Sequence, residues 1–400
     1  MRKRNQSIIG DQKVLLITTS ERFYSLRSEW QALNNKSLKG NIFTSWEWLY
    51  TWWEVYHTDS KRQLYIITCR DENNLLTGLA PFQIINNPKK YFPCSRQLIM
   101  LGTGETDGSS IFGEYMDLLI SPGHEEMVTR LFSQYLYEHS DIWDGIKFHQ
   151  ILANSEVSRL FTQDEEYKGA LIQTVQAHGF RTIIKLPETY QAYLMTLRKK
   201  MRNNITRIFS RLEREQSYNI EKIDDIDALD DAISLLAELN RTRRSDMELS
   251  SSFEQINFEN YHHRLARRLF LLNDPNNSFT LRIMYFAKKP VAMLYCFIDG
   301  DTIHAYQSGF EKENGQRYSL LTTMLTQEIS YSISNRKLKY FNFMYADNES
   351  TYKRRYSGIT EEVYDISFDH NNLKGRFYLF LHGSVKALVK KLMFRSLPEN

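Results

Sequence analysis

Cysteine and proline are scarce in this sequence, with 3 cysteines and 8 prolines among 400 residues. Cys69, Cys94 and Cys296 lie far apart and are odd in number, so they suggest neither a disulfide framework nor a metal-ligand spacing. The histidines show no metal-binding motif either. We therefore expect a reducing compartment, no metal site and no permanently bound cofactor.

Excess charge and long apolar runs are also missing. The 51 basic and 48 acidic residues leave a net charge of only +3, whereas a dedicated nucleic-acid binder usually carries a marked basic excess. No run of about 18 apolar residues occurs, which a membrane-spanning helix would need. The sequence thus predicts a cytoplasmic protein that binds no DNA and contacts a membrane at most peripherally.

What the sequence does contain is enough apolar material for large cores. Hydrophobic residues make up 42% and aromatic residues 13%, and a chain of 400 residues exceeds one ordinary core. Strand-like and helix-like patterns alternate, which predicts an α/β protein with mixed sheets. We expect an N-terminal lobe over 1–186, a C-terminal lobe over 187–370 and a basic amphipathic helix over 371–400. That helix could lie on an anionic membrane or dock on the second lobe.

Two motifs of the first lobe have both a structural and a ligand-binding interpretation. Thr44 and Glu47 match a capping box that opens a helix with four tryptophans, which either pack on a sheet or form an aromatic platform; we favour packing. The glycine-rich stretch 102–108, between the predicted strands 98–101 and 115–120, departs from the GxGxxG pattern. It predicts a flexible turn in preference to a phosphate cradle.

The second lobe begins with a basic helix. Apolar residues from Leu194 to Leu212 recur at steps of three and four, and the other faces carry the basic residues Arg198, Lys199, Lys200, Arg202, Arg207, Arg211 and Arg214. Such residues usually face solvent, but they could also bind the phosphates of a nucleotide donor or a charged glycan. Two hairpins and a helix over 318–332 follow.

The stretch 339–356, KYFNFMYADNESTYKRRY, combines a strand with unusually dense polar chemistry. Aromatic residues predict a strand up to Tyr345, and turn formers follow. The stretch resembles the C-terminal block of the GNAT-like acyltransferases of the cellulose-biosynthesis CelD type. The matching residues are Asp347, Glu349, Tyr352, Lys353, Arg355 and Tyr356. Ala346 replaces a glycine of the family pattern, and Asn342 replaces an aspartate.

The tryptophan helix and the basic helix resemble the same family, the latter best at Arg202. The resemblance implies two tandem GNAT-like lobes, as in the related Fem-type transferases. In GNAT enzymes a glycine-containing turn before a helix binds the pyrophosphate of coenzyme A through backbone N–H groups. The aligned residues here are Gln316, Arg317, Tyr318 and Ser319, with Ser319 in place of the glycine.

The resemblance also implies a function, namely N- or O-acyl transfer from acyl-coenzyme A, as co-substrate, to a sugar, sugar nucleotide or amino-acid-bearing acceptor. Asp347 and Glu349 are then candidate bases, Tyr352 a candidate acid and Lys353 a group that stabilises negative charge. Arg202 and Arg355 are candidates for substrate binding. Two alternatives remain open: a Fem-like transferase that uses aminoacyl-tRNA, and a non-catalytic partner in polysaccharide synthesis.

Overall fold

A computed structural model describes residues 6–9, 12–58, 61–87, 95–111, 113–162, 165–215, 218–346 and 352–372. The first half of the chain runs from a short N-terminal hairpin to the long strand that ends at Lys185. In chain order its elements are β1 (Gln6–Ile9), β2 (Gln12–Ile17), α1 (Ser20–Ser25), α2 (Arg27–Lys36), α3 (Trp46–Tyr56), β3 (Arg62–Arg70), β4 (Leu76–Asn87), β5 (Ser95–Met100), β6 (Leu119–Ile120), α4 (Glu125–Glu138), β7 (Gly145–Leu152), α5 (Glu165–Ala170) and β8 (Leu171–Lys185).

The second half begins with two helices and returns to the sheet afterwards. Its elements are α6 (Tyr190–Thr196), α7 (Lys199–Glu215), β9 (Tyr218–Lys222), α8 (Leu229–Ser245), α9 (Ile256–Leu272), β10 (Asn277–Phe286), β11 (Lys289–Asp299), β12 (Thr302–Phe310), α10 (Lys312–Tyr318), α11 (Leu320–Tyr331), β13 (Tyr340–Ala346) and β14 (Ile359–His370). The predicted C-terminal helix over 371–400 lies almost wholly outside the described residues.

One mixed sheet runs through both halves. Over the described residues the strand order is β1-β2-β3-β4-β5-β7-β14-β8-β13-β12-β11-β10-β9, and β6 pairs with β4. At the centre of this order, strands of the two halves alternate. The last strand, β14, lies between β7 and β8, while β8 pairs with β13 of the second half. The halves are therefore joined by backbone hydrogen bonds, and the boundary at 186 stays a prediction.

Each half contains the same arrangement of strands. Antiparallel strands lead to one strand that pairs in parallel with the strand beyond a crossover helix. In the first half, β5 pairs with β7 over Gln97, Leu98 and Ile99. In the second half, β12 pairs with β13 over three residues that begin at Thr302. The predicted class, α/β with mixed sheets and two similar lobes, is confirmed.

Two hydrophobic cores cover the two faces of the second half's sheet. Side chains of β11 alternate between them, as strand geometry requires: Met293 and Tyr295 belong to one core, and Leu294 and Cys296 to the other. The first core continues into the first half through α3. Trp48 is fully buried there, and its ring meets aromatic rings of α9, β11 and β12 edge-on. The tryptophan helix thus packs on the sheet, as the favoured interpretation predicts, and it does so between the two halves.

The start of α3 differs from the predicted capping box. Ser45 is the N-cap, and its hydroxyl accepts a backbone N–H of the first turn. The hydroxyl of Thr44 instead accepts the N–H of Asn41, which begins a separate short turn. Glu47 is buried and accepts a hydrogen bond from Gln31. Thr44 belongs to the short turn that begins at Asn41 and does not cap α3, so the helix begins one residue later than predicted.

Phe368 on β14 tests whether this strand stabilises the joined halves. Its ring is 1% exposed and packs against Phe161 of the first half, with 5.1 Å between ring centroids. Phe368→Ala should lower the free energy of unfolding by about 3–5 kcal/mol, because buried contacts are lost and a cavity forms. Chemical denaturation measures the change. Ile359→Ala, on the same strand but 66% exposed, should cost less than about 0.5 kcal/mol; equal effects would contradict the expectation.

Candidate active site

A cleft of about 200 Å³ opens where β12 and β13 separate, and we call it the strand cleft. Residues 305–308 of β12 and 343–345 of β13 line its sides. Leu321 and Leu325 of α11 form an apolar wall, and Arg243 of α8 adds a cation. The strand cleft thus lies between the second half's two parallel strands and their crossover helix.

Beyond His304 and Asn342 the two strands no longer pair, and β13 has a bulge at this point. Met344 has a φ of 62°, in the left-handed region that a residue with a side chain seldom adopts. The side chain of Asn342 accepts the Met344 N–H at 2.9 Å, which holds the bulge. Pairing with β8 is interrupted between Asn342 and Tyr345. The N–H of Tyr345 is therefore turned toward another partner.

That partner is Glu114, which comes from the first half. Both of its carboxylate oxygens accept the Tyr345 N–H, at 3.0 and 2.9 Å. Glu114 is 2% exposed, and burial raises its pKa to about 7, although Lys353 and Arg181 act in the opposite direction. A carboxyl group that titrates near neutral pH is suited to general-base catalysis.

Glu114 reaches the cleft on the loop between β5 and β6, where the structure differs from the sequence prediction. A strand is predicted over 115–120, but only Leu119 and Ile120 pair with the sheet. Three glycines of the stretch 102–108 have φ between 79° and 89°, a region open to glycine at little cost. They let the chain leave the sheet.

This loop is anchored on the second half. Tyr306 donates its hydroxyl to the carbonyl of Ile111 at 2.6 Å, and Asn257 donates to Asp107 at 3.1 Å. The glycine-rich stretch thus forms turns, as the sequence predicts, and is tied to the second half at Asp107; its flexibility stays a prediction. In the sequence, Glu114 stands between the apolar residues Ile111 and Met116. A carboxylate in such surroundings indicates a buried acid, and this signal could have identified Glu114.

The short 3-10 helix Tyr352–Tyr356 forms another wall of the strand cleft. Lys353 is 9% exposed, and its ammonium group donates to the carbonyls of Met344 and Tyr345 at 2.9 and 2.6 Å. It thereby secures the end of β13 and brings a positive charge into the cleft. Tyr352 lines the cleft near Arg243, and desolvation raises the pKa of its hydroxyl. Both predicted residues lie in the cleft; their catalytic roles stay predictions.

The other predicted residues have different positions. Asp347 and Glu349 lie outside the described residues. Arg202 donates to the carbonyls of Met195 and Leu197 at 3.2 and 3.1 Å, and so satisfies the C-terminal end of α6. Arg355 faces a separate groove beside α7.

The predicted phosphate-binding turn is largely helical, because Gln316, Arg317 and Tyr318 belong to α10. Arg317 pairs with Glu215 of α7 at 2.9 Å, and Tyr318 is 1% exposed. Ser319 joins α10 to α11 with a φ of 48° and a ψ of 50°. Ser319 thus has the left-handed conformation that glycine adopts most readily, at the position where the GNAT pattern has glycine.

A second cavity, of about 600 Å³, lies between the halves, and we call it the interlobe cavity. Tyr115, which follows Glu114 in the chain, forms part of its wall. Arg181 lies over the Tyr115 ring at 4.7 Å and pairs with Glu361 at 2.7 Å. Burial raises the pKa of Asp117, also in the wall, to about 7. The interlobe cavity therefore presents charges of both signs next to the candidate base.

Two further features can be stated for the described part of the chain. No three histidine, cysteine or carboxylate side chains there are grouped as a metal site would need. No helix there combines the length and the apolar composition that crossing a bilayer requires.

Residues 199–354 match the family model described as an acetyltransferase (GNAT) domain. This chain carries a GNAT-type acyltransferase domain. The matched region contains both strands of the strand cleft and Lys353, and it supports an acyltransferase over the non-catalytic alternative. No curated protein matches the chain. Membership of the narrower CelD-type family stays a proposal.

Solved structures share the fold over nearly the whole chain. FemX is 11% identical, with a TM-score of 0.58 over 88% of this chain and 98% of its own. A conserved protein of unknown function from Bacteroides thetaiotaomicron is 12% identical, with a TM-score of 0.53 over 89% of this chain and 100% of its own. The C-terminal domain of a putative lysylphosphatidylglycerol synthetase from Agrobacterium fabrum is 8% identical, with a TM-score of 0.51 over 92% and 97%. At these identities the likeness concerns the fold alone.

Glu114→Gln should remove a pH-dependent cost of folding. Glutamine still accepts the Tyr345 N–H but cannot ionise. The pKa of Glu114 is about 7 in the fold against an ordinary 4.5, so folding favours the protonated form. Protonated Glu114 therefore stabilises the folded wild type fully below about pH 4.5, and this stabilisation is lost as the pH rises through about 7. Relative to the wild type, the variant should therefore gain about 3 kcal/mol between pH 4.5 and pH 8.

Denaturant unfolding at both pH values measures this gain. Glu126→Gln, at a site on α4 where the side chain is 74% exposed, serves as the control and should show no comparable gain. An equal difference between wild type and Glu114→Gln at both pH values would show that Glu114 does not titrate in this way.

Proposed function

We propose that this chain is an N- or O-acyltransferase that moves an acyl group from acyl-coenzyme A to a sugar, sugar nucleotide or amino-acid-bearing acceptor. Its place would be polysaccharide or cell-envelope synthesis in the cytoplasm, with peripheral membrane contact through the segment 371–400. The observation that carries the proposal is the meeting of Glu114 and Lys353 at the strand cleft. A buried base and a buried cation flank the same opening between the two strands.

Acyl transfer needs a base for the acceptor and positive charge near the acyl oxygen. Glu114 would take the proton from the acceptor's amine or hydroxyl as this group attacks the acyl carbon. The positive charge of Lys353 would stabilise the oxyanion, and Tyr352 would give a proton to the thiolate as the carbon–sulfur bond breaks. Asp347 and Glu349 are further candidate bases from the turn before Tyr352.

The interlobe cavity is the proposed entrance for the acceptor. It adjoins the strand cleft through Glu114 and Tyr115, so an acceptor there would lie next to the base. The wall offers Lys39 for anionic groups, and the ion pair of Arg181 and Glu361 adds a charge of each sign. His304 is 5% exposed, and its Nε2 has no hydrogen-bond partner among the described residues. Such a mixed lining suits an acceptor that carries both signs of charge.

One observation favours the alternative donor, aminoacyl-tRNA. The turn that would bind the pyrophosphate of coenzyme A is the helix α10, and Arg317 within it is already paired with Glu215. Aminoacyl-tRNA carries no pyrophosphate, so a transferase that uses this donor needs no such turn. Under this alternative the partner is charged tRNA, and the chemistry at Glu114 is unchanged.

Acyl-coenzyme A should bind near Gln316–Ser319. Calorimetry with acetyl- and longer acyl-coenzyme A should give heat, and the melting temperature should rise, since a ligand at one hundred times its Kd stabilises the fold by about 2.7 kcal/mol. Ser319→Gly should bind as well or better, because it keeps the left-handed conformation without a side chain. Ser319→Val, which disfavours that conformation, should bind more weakly. No heat at millimolar concentration would instead favour the tRNA donor.

Tyr352→Phe should lower the acyl-transfer rate about tenfold to hundredfold. The ring is 41% exposed and stays in place, so the melting temperature should hardly change. The assay follows thiol release from acyl-coenzyme A with amino sugars, sugar nucleotides and amino acids as acceptors. Tyr24→Phe, at a site 59% exposed on α1, is the matched control. Full turnover of Tyr352→Phe would exclude the hydroxyl as the acid.

Lys353→Ala should lose activity and stability together. The ammonium group of Lys353 donates to the carbonyls of Met344 and Tyr345, and leaving these carbonyls without a partner costs about 1–3 kcal/mol. Activity must therefore be normalised to folded protein, measured by circular dichroism. Activity lost only in proportion to unfolded protein would make Lys353 purely structural.

A further inference from the structure

A groove of about 820 Å³ lies between α7 and the 3-10 helix Tyr352–Tyr356. Five of its lining residues are cationic, and we call it the basic groove: Arg198, Lys200, Arg207, Arg354 and Arg355. It is distinct from the strand cleft and from the turn at Ser319, because it shares no described lining residue with either.

Four of the five cations in the basic groove, Arg198, Lys200, Arg207 and Arg355, have no carboxylate partner among the described residues. No described carboxylate pairs with Arg198, Lys200 or Arg355, and Arg207 donates to the neutral amide of Asn204 at 2.9 Å. Further along α7 the pattern differs, because Arg214 pairs with Glu215 at 2.9 Å. Like charges held close together without counter-charge repel each other. Since the whole chain carries only +3, this local excess favours an anionic ligand.

The basic groove and the strand cleft share one wall. Tyr352 and Lys353 line the cleft, and Arg354 and Arg355 line the groove. A 3-10 helix rises about 2 Å per residue, so the two pairs are about 4 Å apart along its axis. A single elongated molecule can therefore contact both sides of this helix.

We infer that the basic groove binds the phosphates of the acyl donor while the donor's acyl end enters the strand cleft. This inference rests on the proposed function and names a site for the donor's anionic part. Coenzyme A and the 3′ end of charged tRNA share the relevant chemistry, an adenosine that carries phosphate. The planar guanidinium groups of Arg207 and Arg355 can bind phosphate oxygens in pairs.

The proposed function alone would assign these phosphates to the turn at Ser319. Most of that turn belongs to the short helix α10. The cationic residue there, Arg317, is already paired with Glu215. The basic groove supplies what the turn lacks, several arginines without carboxylate partners. The donor would thus be held by side-chain cations of α7 and the 3-10 helix, in addition to any backbone contact at α11.

The test is calorimetry on the full chain with the double variant Arg207→Ala/Arg355→Ala. The probes are coenzyme A and pantetheine, which shares the thiol arm but has no phosphate. Affinity for coenzyme A should fall at least tenfold, because charge-assisted contacts are lost, while affinity for pantetheine should stay the same. Arg214→Ala is the matched control, since Arg214 lies on the same helix, is 73% exposed and is outside the groove. It should bind both probes like the wild type.

Unchanged affinity of the double variant for coenzyme A would overturn the inference, and so would an equal loss for pantetheine. If the wild type binds no coenzyme A, deacylated tRNA becomes the probe for the same three proteins. Weaker, salt-sensitive tRNA binding by the double variant alone would support the groove; equal tRNA binding by all three, or none by the wild type, would overturn it.

These binding measurements need neither an acceptor nor turnover. Selective loss of coenzyme A binding without acyl transfer to any acceptor would therefore support the groove while rejecting the proposed function. Melting temperatures of the three proteins should agree, because the substituted side chains lie at a groove and at the surface. If the double variant melts lower, the single variants Arg207→Ala and Arg355→Ala are measured in its place, and each must show the same selectivity for coenzyme A.

Discussion

The hydrogen bond between Glu114 and the Tyr345 N–H is the contact on which the rest of the site depends. The bulge at Met344 interrupts the pairing with β8 just before Tyr345, and the Tyr345 N–H donates to the Glu114 side chain. Glu114 can accept only because its loop leaves the first half and is anchored on the second. The strand cleft therefore combines residues from both lobes.

Burial gives this contact its chemical character. Glu114 would be an ordinary carboxylate in water, but desolvation raises its pKa to about 7 against the nearby positive charges. Lys353 is held in position by the backbone carbonyls of Met344 and Tyr345. Such fixed charges in a poorly solvated site act more strongly on a reacting group than they would in water. The same carbonyl contacts couple the position of Lys353 to the shape of β13.

The sequence predicts those parts of the site that are local in the chain. The strand at 340–345 and the polar residues just after it are neighbours in sequence, so the pattern indicates that Tyr352 and Lys353 lie near a strand end. The periodicity of the basic helix likewise predicts α7. Glu114 could not be found in this way, because 231 positions separate it from Tyr345 and no periodic pattern records such a contact. The position of β14 between β7 and β8 is hidden for the same reason.

The place of β14 in the sheet has a consequence for how the protein is made. Both neighbours of β14 belong to the first half, yet β14 is the last described strand to leave the ribosome. Until it emerges, β7 lacks this partner, and an unpaired strand edge can pair with another chain. Completion of the central sheet must therefore wait until residues 359–370 have been synthesised. A nascent chain that stops before residue 359 would hold the candidate site's residues without the strand that closes the sheet behind them.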